Sequence, residues 1–367
     1  NVPNLRFPEF EGEWQENYVN EICNEFKSGK AIKADLILDV GTYPVFGGNG
    51  LRGYTSTYNH DGLFVLIGRQ GALCGNVRSV IGKTYITEHA IAVNGNNKSD
   101  TNFLHYLFLQ MDLGRFSDQS AQPGLAVNKL LKLKVITPRI DEQRKIANLL
   151  RLLDERIATQ NKIIEKLESL IKGISNRLLY ADNSMSIRIE EMLIERSERT
   201  KKNNQYEILS STVNGIFSQR DYFSKDIASD NNVGYKIIHL HDIVLSPQNL
   251  WMGNINFNDK FDIGIVSPSY KVFSIADGFD KKYVAALLKT HHALYNYMLV
   301  SEQGASTVRR NLNYEAFEQL VFKIPSLNKQ QEIGHVISLL KSQLENANLL
   351  IKTYNSQKQY LLRQMFI

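Results

Sequence analysis

Apolar residues recur at alternating steps of four and three in two stretches of the chain. In the first they fall at Ile146, Leu150, Leu153, Ile157, Ile164, Leu167 and Ile171, then Ile174 and Leu178, with Gln160 the one polar member. In the second they fall at Ile333, Ile337, Leu340, Leu344, Ala347, Ile351, Tyr354, Leu361 and Met365, with Lys358 polar. Each position of the second stretch lies 187 residues after one of the first. A heptad repeat this long predicts a coiled-coil seam, and single polar seam residues fix its register. The narrow seam and its charged flanks favour this over an amphipathic helix laid on a globular core. Pro138 and Pro325 open the two stretches, with Asp141 and Asn328 expected as the helix N-caps.

The segments before the two helices also correspond. Leu63–Val77 and His241–Ile255 each carry an apolar run, a polar turn and a second run, sharing Gln70 with Gln248 and Gly75-Asn76 with Gly253-Asn254. Both patterns predict a strand, a turn and a strand. Glu88–Val93 likewise parallels Ser267–Val272. The expected order is domain (1–137), helix (138–181), domain (182–324), helix (325–367). The fold class expected is α+β: two mixed α/β domains, each followed by a long helix. If the second helix runs back along the first, the pair is an antiparallel coiled coil and the chain has a pseudo-twofold repeat. About 40 helical residues at 1.5 Å each give a spacer of ~60 Å.

Composition narrows the class. The chain has 367 residues, 43% of them hydrophobic, and two cysteines, Cys23 and Cys74. That excludes a disulfide framework and a cysteine zinc site, and no apolar run is long enough to span a bilayer. The N-terminus has no signal-peptide apolar stretch, so a cytoplasmic compartment is expected. It begins without Met, so a few native residues are expected to precede it. The net charge of +5 divides unevenly: 0 over residues 1–137, +3 over 138–181, −1 over 182–324 and +3 over 325–367. Any nucleic-acid surface on the two larger segments must therefore be local.

Catalytic motifs are weak throughout. Gly48-Asn49-Gly50-Leu51-Arg52-Gly53 satisfies GxGxxG, but the residues after it have no helical period, so a tight turn between strands is preferred to a dinucleotide loop. Ile81-Gly82-Lys83-Thr84 lacks the earlier glycine of a phosphate loop, because Val77 stands there. His239-x-His241 has no nearby third ligand, which favours a structural pair over a metal site. No metal, no catalytic residue and no cofactor of the chain's own is expected, and the Asn/Asp-Pro-Pro-aromatic motif of amino-methyltransferases is absent.

What remains is polar and aromatic residues gathered in turns. The first domain offers Tyr43, Asn49, Arg52, Tyr54, Arg69, Gln70, Asn76 and Arg78. The second offers Gln248, Asn249, Trp251, Asn254, Thr307, Arg309 and Arg310. Arg, Asn and Gln are the side chains that read base edges through paired hydrogen bonds, and loops on a rigid scaffold are where recognition usually sits. These fifteen are the candidate DNA contacts.

Several segments resemble the specificity subunit of Type I restriction–modification systems. They are Leu5-Arg6-Phe7-Pro8-Glu9-Phe10-Glu11-Gly12-Glu13-Trp14, Tyr43–Tyr54 with Ile67-Gly68-Arg69-Gln70-Gly71, and Ser246–Gly253 with Gly264–Tyr270. The resemblance extends over both helices. It implies two target recognition domains, each reading half of a split double-stranded DNA site. It implies that the paired helices set the spacer and dock two modification subunits, which carry S-adenosylmethionine and methylate adenine. Restriction subunits, with ATP and magnesium, would join through the complex. The chain itself would be non-catalytic. The near-neutral domains suggest weak DNA binding by the chain alone, since phosphate neutralisation usually dominates affinity. The competing reading is a coiled-coil adaptor that binds protein without DNA specificity.

Overall fold

The structure is a computed structural model, and it describes all residues except 118–123, 179–184, 223–230 and 304–309. The chain divides into two compact units: residues 1–161 with 349–367, and residues 162–348.

Unit 1 opens with β1 (Gln15–Tyr18), α1 (Val19–Ile22), β2 (Cys23–Ser28), β3 (Tyr43–Gly47), β4 (Gly50–Thr55) and β5 (Leu63–Gly68). It continues with β6 (Val77–Ile81), β7 (Tyr85–Ile86), β8 (Ala90–Gly95), α2 (Thr101–Gln110), α3 (Val127–Leu130) and β9 (Lys134–Thr137). The long helix α4 (Ile140–Leu178) follows and runs on into unit 2. A four-stranded antiparallel sheet has the order β2-β8-β5-β6, a second sheet the order β4-β3-β7, and β1 pairs with β9. The apolar run of β5 is buried along nearly its whole length because both faces of the sheet are covered. Val65, Ile67, Ile91 and Val93 face Phe103, Leu104 and Leu107 of α2. Their alternating neighbours Phe64, Leu66, Ala90 and Ala92 pack with Phe46 and Ile86 of the smaller sheet.

Unit 2 repeats the plan. Its elements are β10 (Met185–Arg188), α5 (Ile189–Met192), β11 (Leu193–Arg196), β12 (Leu209–Thr212), β13 (Gly215–Ser218), α6 (Gln219–Tyr222), β14 (Lys236–His239) and β15 (Ile243–Leu245). Then come β16 (Ile255–Phe257), β17 (Ile263–Val266), β18 (Lys271–Ile275), α7 (Lys281–Leu287), α8 (His291–Leu299), β19 (Ser301–Gln303), β20 (Arg310–Leu312), α9 (Tyr314–Glu318), β21 (Val321–Ile324) and α10 (Leu327–Gln364). The order β11-β18-β15-β16 reproduces β2-β8-β5-β6, and β10–β21 reproduces β1–β9. The strand-turn-strand segments aligned in the sequence are β5–β6 and β15–β16, in matching sheet positions.

Each long helix is joined to its domain by the same device. Gln143 and Gln330 are buried and 187 positions apart. Gln143 Nε2 donates to Pro138 O and Lys98 O, both at 2.9 Å, while its Oε1 accepts from Asp100 N at 2.9 Å and Ser99 Oγ at 3.1 Å. Gln330 Nε2 donates to Pro325 O at 2.9 Å, and its Oε1 accepts from Asp280 N at 3.1 Å. The helices begin at Ile140 and Leu327, so Arg139 and Ser326 stand at the caps and not Asp141 and Asn328. The two prolines end the preceding strands, and the helix starts as soon as the chain has turned. Asp141 and Asn328 thus fall inside the first turn.

The heptad positions are the less exposed ones along both helices. Ile146, Leu150, Leu153, Ile333 and Ile337 are buried; Ile157, Ile164, Leu167, Ile171, Leu340, Leu344 and Ile351 are half-buried between exposed neighbours. Within unit 1 the pairing is antiparallel: Leu361, Met365 and Tyr354 pack with Ile146, Leu150, Leu153 and Ile157, and Lys358 pairs with Asp154 at 2.5 Å. Within unit 2, Glu168, Ile171 and Lys172 of α4 share a hollow with Lys341 and Leu344 of α10.

The N-terminal segment is a clip on this helix pair. Arg6 makes two 2.8 Å hydrogen bonds to the buried Glu142 carboxylate, and Trp14 Nε1 donates to Glu142 Oε1 at 3.2 Å. Lys145 pairs with Glu9 and lies over the Phe7 ring. A two-pronged Arg–carboxylate contact tolerates burial where a lone charge would not.

Candidate nucleic-acid interface

In unit 1 the candidate residues divide between two ends of the β3–β4 hairpin. Its tight turn carries Gly48 and Asn49, with Arg52 on β4 beside it. A Cβ on Gly48 would lie 2.7 Å from His89 O and 3.2 Å from Gly68 Cα, so this turn rests on the start of the β5–β6 turn. That close approach explains Gly48 of the GxGxxG segment, which opens no helix. A Cβ on Gly50 would meet the Arg78 guanidinium at 2.7 Å, which puts Arg78 against the same turn. Arg69 and Gln70 lie in the β5–β6 turn, where Gln70 Oε1 is 3.2 Å from His89 Nδ1. Asn49, Arg52, Arg69, Gln70 and Arg78 are thus brought together, and none of the three guanidiniums is held in an ion pair among the described residues. Asn76 closes the turn through its backbone, accepting from Gly68 N at 2.8 Å. Tyr43 and Tyr54 sit at the hairpin's open end, where Tyr43 packs edge-on against Tyr58 at 5.0 Å and Lys83 lies over Tyr58 at 4.9 Å. The structure does not join these tyrosines to the arginine group.

His89 was not among the sequence candidates. Its signal was present, since Glu88-His89 stands just before the strand that aligns with Ser267–Val272.

In unit 2 the equivalent turn joins β15 to β16. Gly253 takes φ +92° there, as Gly75 takes +86° in unit 1, a left-handed conformation that a side chain resists and the shared Gly-Asn supplies. Gln248 is exposed at the turn, and its carbonyl accepts from Arg310 N at 3.1 Å. The Arg310 guanidinium lies over the Trp251 ring at 4.7 Å, a cation–π contact that holds it at the turn. Asn249 Oδ1 and Arg310 Nε are buried with no hydrogen-bond partner among the described residues. Asn254 differs from its neighbours. It is buried, its Oδ1 accepts from Ser211 Oγ at 2.9 Å, and its Nδ2 donates to Ser211 O at 3.0 Å. Its amide is used inside the domain. Thr307 and Arg309 lie outside the described residues.

The other motifs take structural places. His239 pairs with Glu198 at 2.9 Å and His241 stacks on Phe257 at 5.6 Å. No group of three or more metal-ligating side chains is assembled among the described residues, and none of their helices is long and apolar enough to cross a membrane.

Residues 11–169 match the family model of the Type I restriction modification DNA specificity domain. The first domain and the start of α4 are thus similar to this specificity family. The chain is 42% identical over 154 residues to the EcoprrI specificity subunit of Escherichia coli, a stretch covering 41% of this chain and 38% of that protein. It is 27% identical over 147 residues to the putative specificity subunit S.HindORF215P of Haemophilus influenzae, covering 39% of this chain and 37% of that one. The chain thus spans less than two fifths of the length of the curated relatives it matches. Its fold is that of the Type I S subunit from M. genitalium, with a TM-score of 0.72 at 16% identity over 100% of this chain and 99% of that one. A chain solved in work on complex assembly and conformational transition of the type I R-M system superposes with a TM-score of 0.51 at 12% identity, covering 98% of each.

Proposed function

We propose that the chain is the DNA-recognition subunit of a Type I restriction–modification complex, with each domain reading one half of a bipartite site. The observation that carries this reading is the doubled turn. The same hairpin, β5–β6 and β15–β16, gathers Arg69, Gln70 and Arg78 with Asn49 and Arg52 beside them in the first domain, and Gln248 and Asn249 with Arg310 of β20 in the second. A reader of two half-sites needs two such surfaces and no catalytic group of its own. The paired helices would set the spacer length and dock two modification subunits. S-adenosylmethionine would belong to those subunits, and ATP with magnesium to restriction subunits further out. Such a complex would act on chromosomal or invading DNA in the bacterial cytoplasm.

A domain exchange tests the proposal. Residues 1–137 are replaced by another recognition domain, and the methylome of cells carrying the complex is sequenced. One half of the methylated site should change while the other stays. A swap that altered both halves together, or no methylation difference between cells with and without the chain, would overturn it.

A further inference from the structure

Counting from shared anchors sets the two units side by side. Asp100 and Asp280 cap α2 and α7 in the same way, accepting from Phe103 N at 3.0 Å and Tyr283 N at 2.8 Å. By that count Tyr106 corresponds to Ala286 and Leu109 to Lys289. By the count from Pro138 and Pro325, Asp154 corresponds to Lys341 and Ile171 to Lys358. In unit 1 this place is full. Tyr106 Oη donates to Asp154 Oδ2 at 2.9 Å, and Lys358 closes on the same carboxylate and lies 5.8 Å from the Tyr106 ring.

In unit 2 every member of that group is changed. The ring is Ala286, the carboxylate is Lys341 and the lysine is Ile171. A hollow of about 350 Å³ remains, lined by Ile171, Leu344 and Ala286 on its apolar side and by Lys172, Lys289 and Lys341 on its charged side. Glu168 also reaches it, but none of the three lysines has a carboxylate within ion-pair distance among the described residues. Lys289 gives one N–H to Val213 O at 3.1 Å. His291 and the N-cap residue Thr290 of α8 complete the wall. Burial above all, and then the neighbouring Lys341, lower Lys289 to about 8; Asp259 and Glu345 face Lys341 from its other side, beyond ion-pair distance.

We propose that this hollow is a docking site for an acidic segment of a partner protein, one that inserts a carboxylate beside an aromatic ring. Unit 1 supplies both groups from within; unit 2 leaves them to be supplied. A duplex phosphate fits less well, because it lies on the outside of a wide cylinder and cannot sink against Ile171 and Leu344. Assigning the segment to a modification subunit rests on the function proposed above, whereas the hollow's preference for a carboxylate does not.

The test titrates the full chain with a fluorescein-labelled Gly-Asp-Tyr-Asp-Gly peptide, read by anisotropy. Gly-Asn-Tyr-Asn-Gly, inorganic phosphate and a short duplex serve as competitors. The acidic peptide should bind about tenfold more tightly than its amide form, as charge-assisted contacts require. Lys172→Gln with Lys341→Gln, both on exposed side chains, should cost about tenfold while leaving the melting curve in place. Ala286→Tyr with Lys341→Asp and Ile171→Lys rebuilds the unit 1 arrangement and should abolish binding. Equal affinity for the two peptides, binding that survives the rebuilt hollow, or displacement of the peptide by duplex or by phosphate alone would each overturn the proposal. None of these outcomes bears on the methylome experiment, so the two readings fail separately.

Discussion

The buried glutamine at each domain–helix joint offers the sharpest test of the repeated design. Gln143→Leu keeps the volume and removes the amide. Asp100 N–H, Lys98 O, Pro138 O and Ser99 Oγ then lose a partner. An orphaned buried group costs ~1–3 kcal/mol, and part of the set will find water, so roughly 3–5 kcal/mol is expected. Gln330→Leu strands only Asp280 N–H and Pro325 O, so about half that loss is expected. At ~2–4 °C per kcal/mol for units of this size, the first change should lower the melting point by roughly 6–20 °C. Each unit holds one tryptophan, Trp14 and Trp251. In a Trp251→Phe background, urea unfolding followed by Trp14 fluorescence reports unit 1 alone; hydrogen exchange over β14–β18 reports unit 2. If both substitutions cost less than ~0.5 kcal/mol, or if Gln143→Leu loosened unit 2 while sparing unit 1, the joint would not be the lock described.

Other expectations follow from single contacts. Leu153→Asp should break the helix pairing at a cost above ~3 kcal/mol, while Leu152→Asp on the exposed face should cost under ~0.5 kcal/mol; circular dichroism melts compare them. Arg78→Ala should cost ~1–3 kcal/mol and relax one position of the first half-site if it reads a base, or lower the salt slope by about one if it holds phosphate. The same titration, run with modification subunits present, applies to Arg309→Ala in the second half-site. Burial lowers His105 to about 4, below its ordinary 6.5, so the unfolded chain takes up the proton first. Stability should fall as pH drops from about 6.5 towards 4, by ~2 kcal/mol, and His105→Phe should remove that part of the urea-midpoint slope.

The helices were legible because a 3.5-residue period survives any tertiary context: the seam positions from Ile146 to Ile174 and from Ile333 to Met365 are the less exposed ones, down to the polar Gln160 and Lys358. The joint was not, because a buried Gln has no spacing signature, and the eye goes to Asp141 and Asn328 as caps. The strand-turn-strand correspondence was readable from Gly75-Asn76 and Gly253-Asn254, where backbone conformation dictates residue type. Which turn residues are free was not readable. Asn254 looks like Asn249 in sequence, and only the fold shows its amide satisfied by Ser211. The clip of Arg6 and Trp14 on Glu142 gives a physical reason for an opening segment that sequence alone offered only as a signature.

Unit 1 is assembled from both ends of the chain. Phe366 stacks on Phe103 at 5.3 Å, Leu5 N donates to Gln364 O at 2.9 Å, and Leu361 and Met365 belong to the same core as Trp14. On the ribosome, then, the domain made first is the one finished last. At ~5–20 residues per second, its closing helix emerges roughly ten to forty seconds after residue 161. Unit 2, one continuous stretch, is complete before that. For this interval the apolar face of α2 that receives Phe366 stands open to water and to chaperones. Damage to the last turn of α10 should therefore be felt in unit 1, far away in sequence, and not in unit 2, which immediately precedes it.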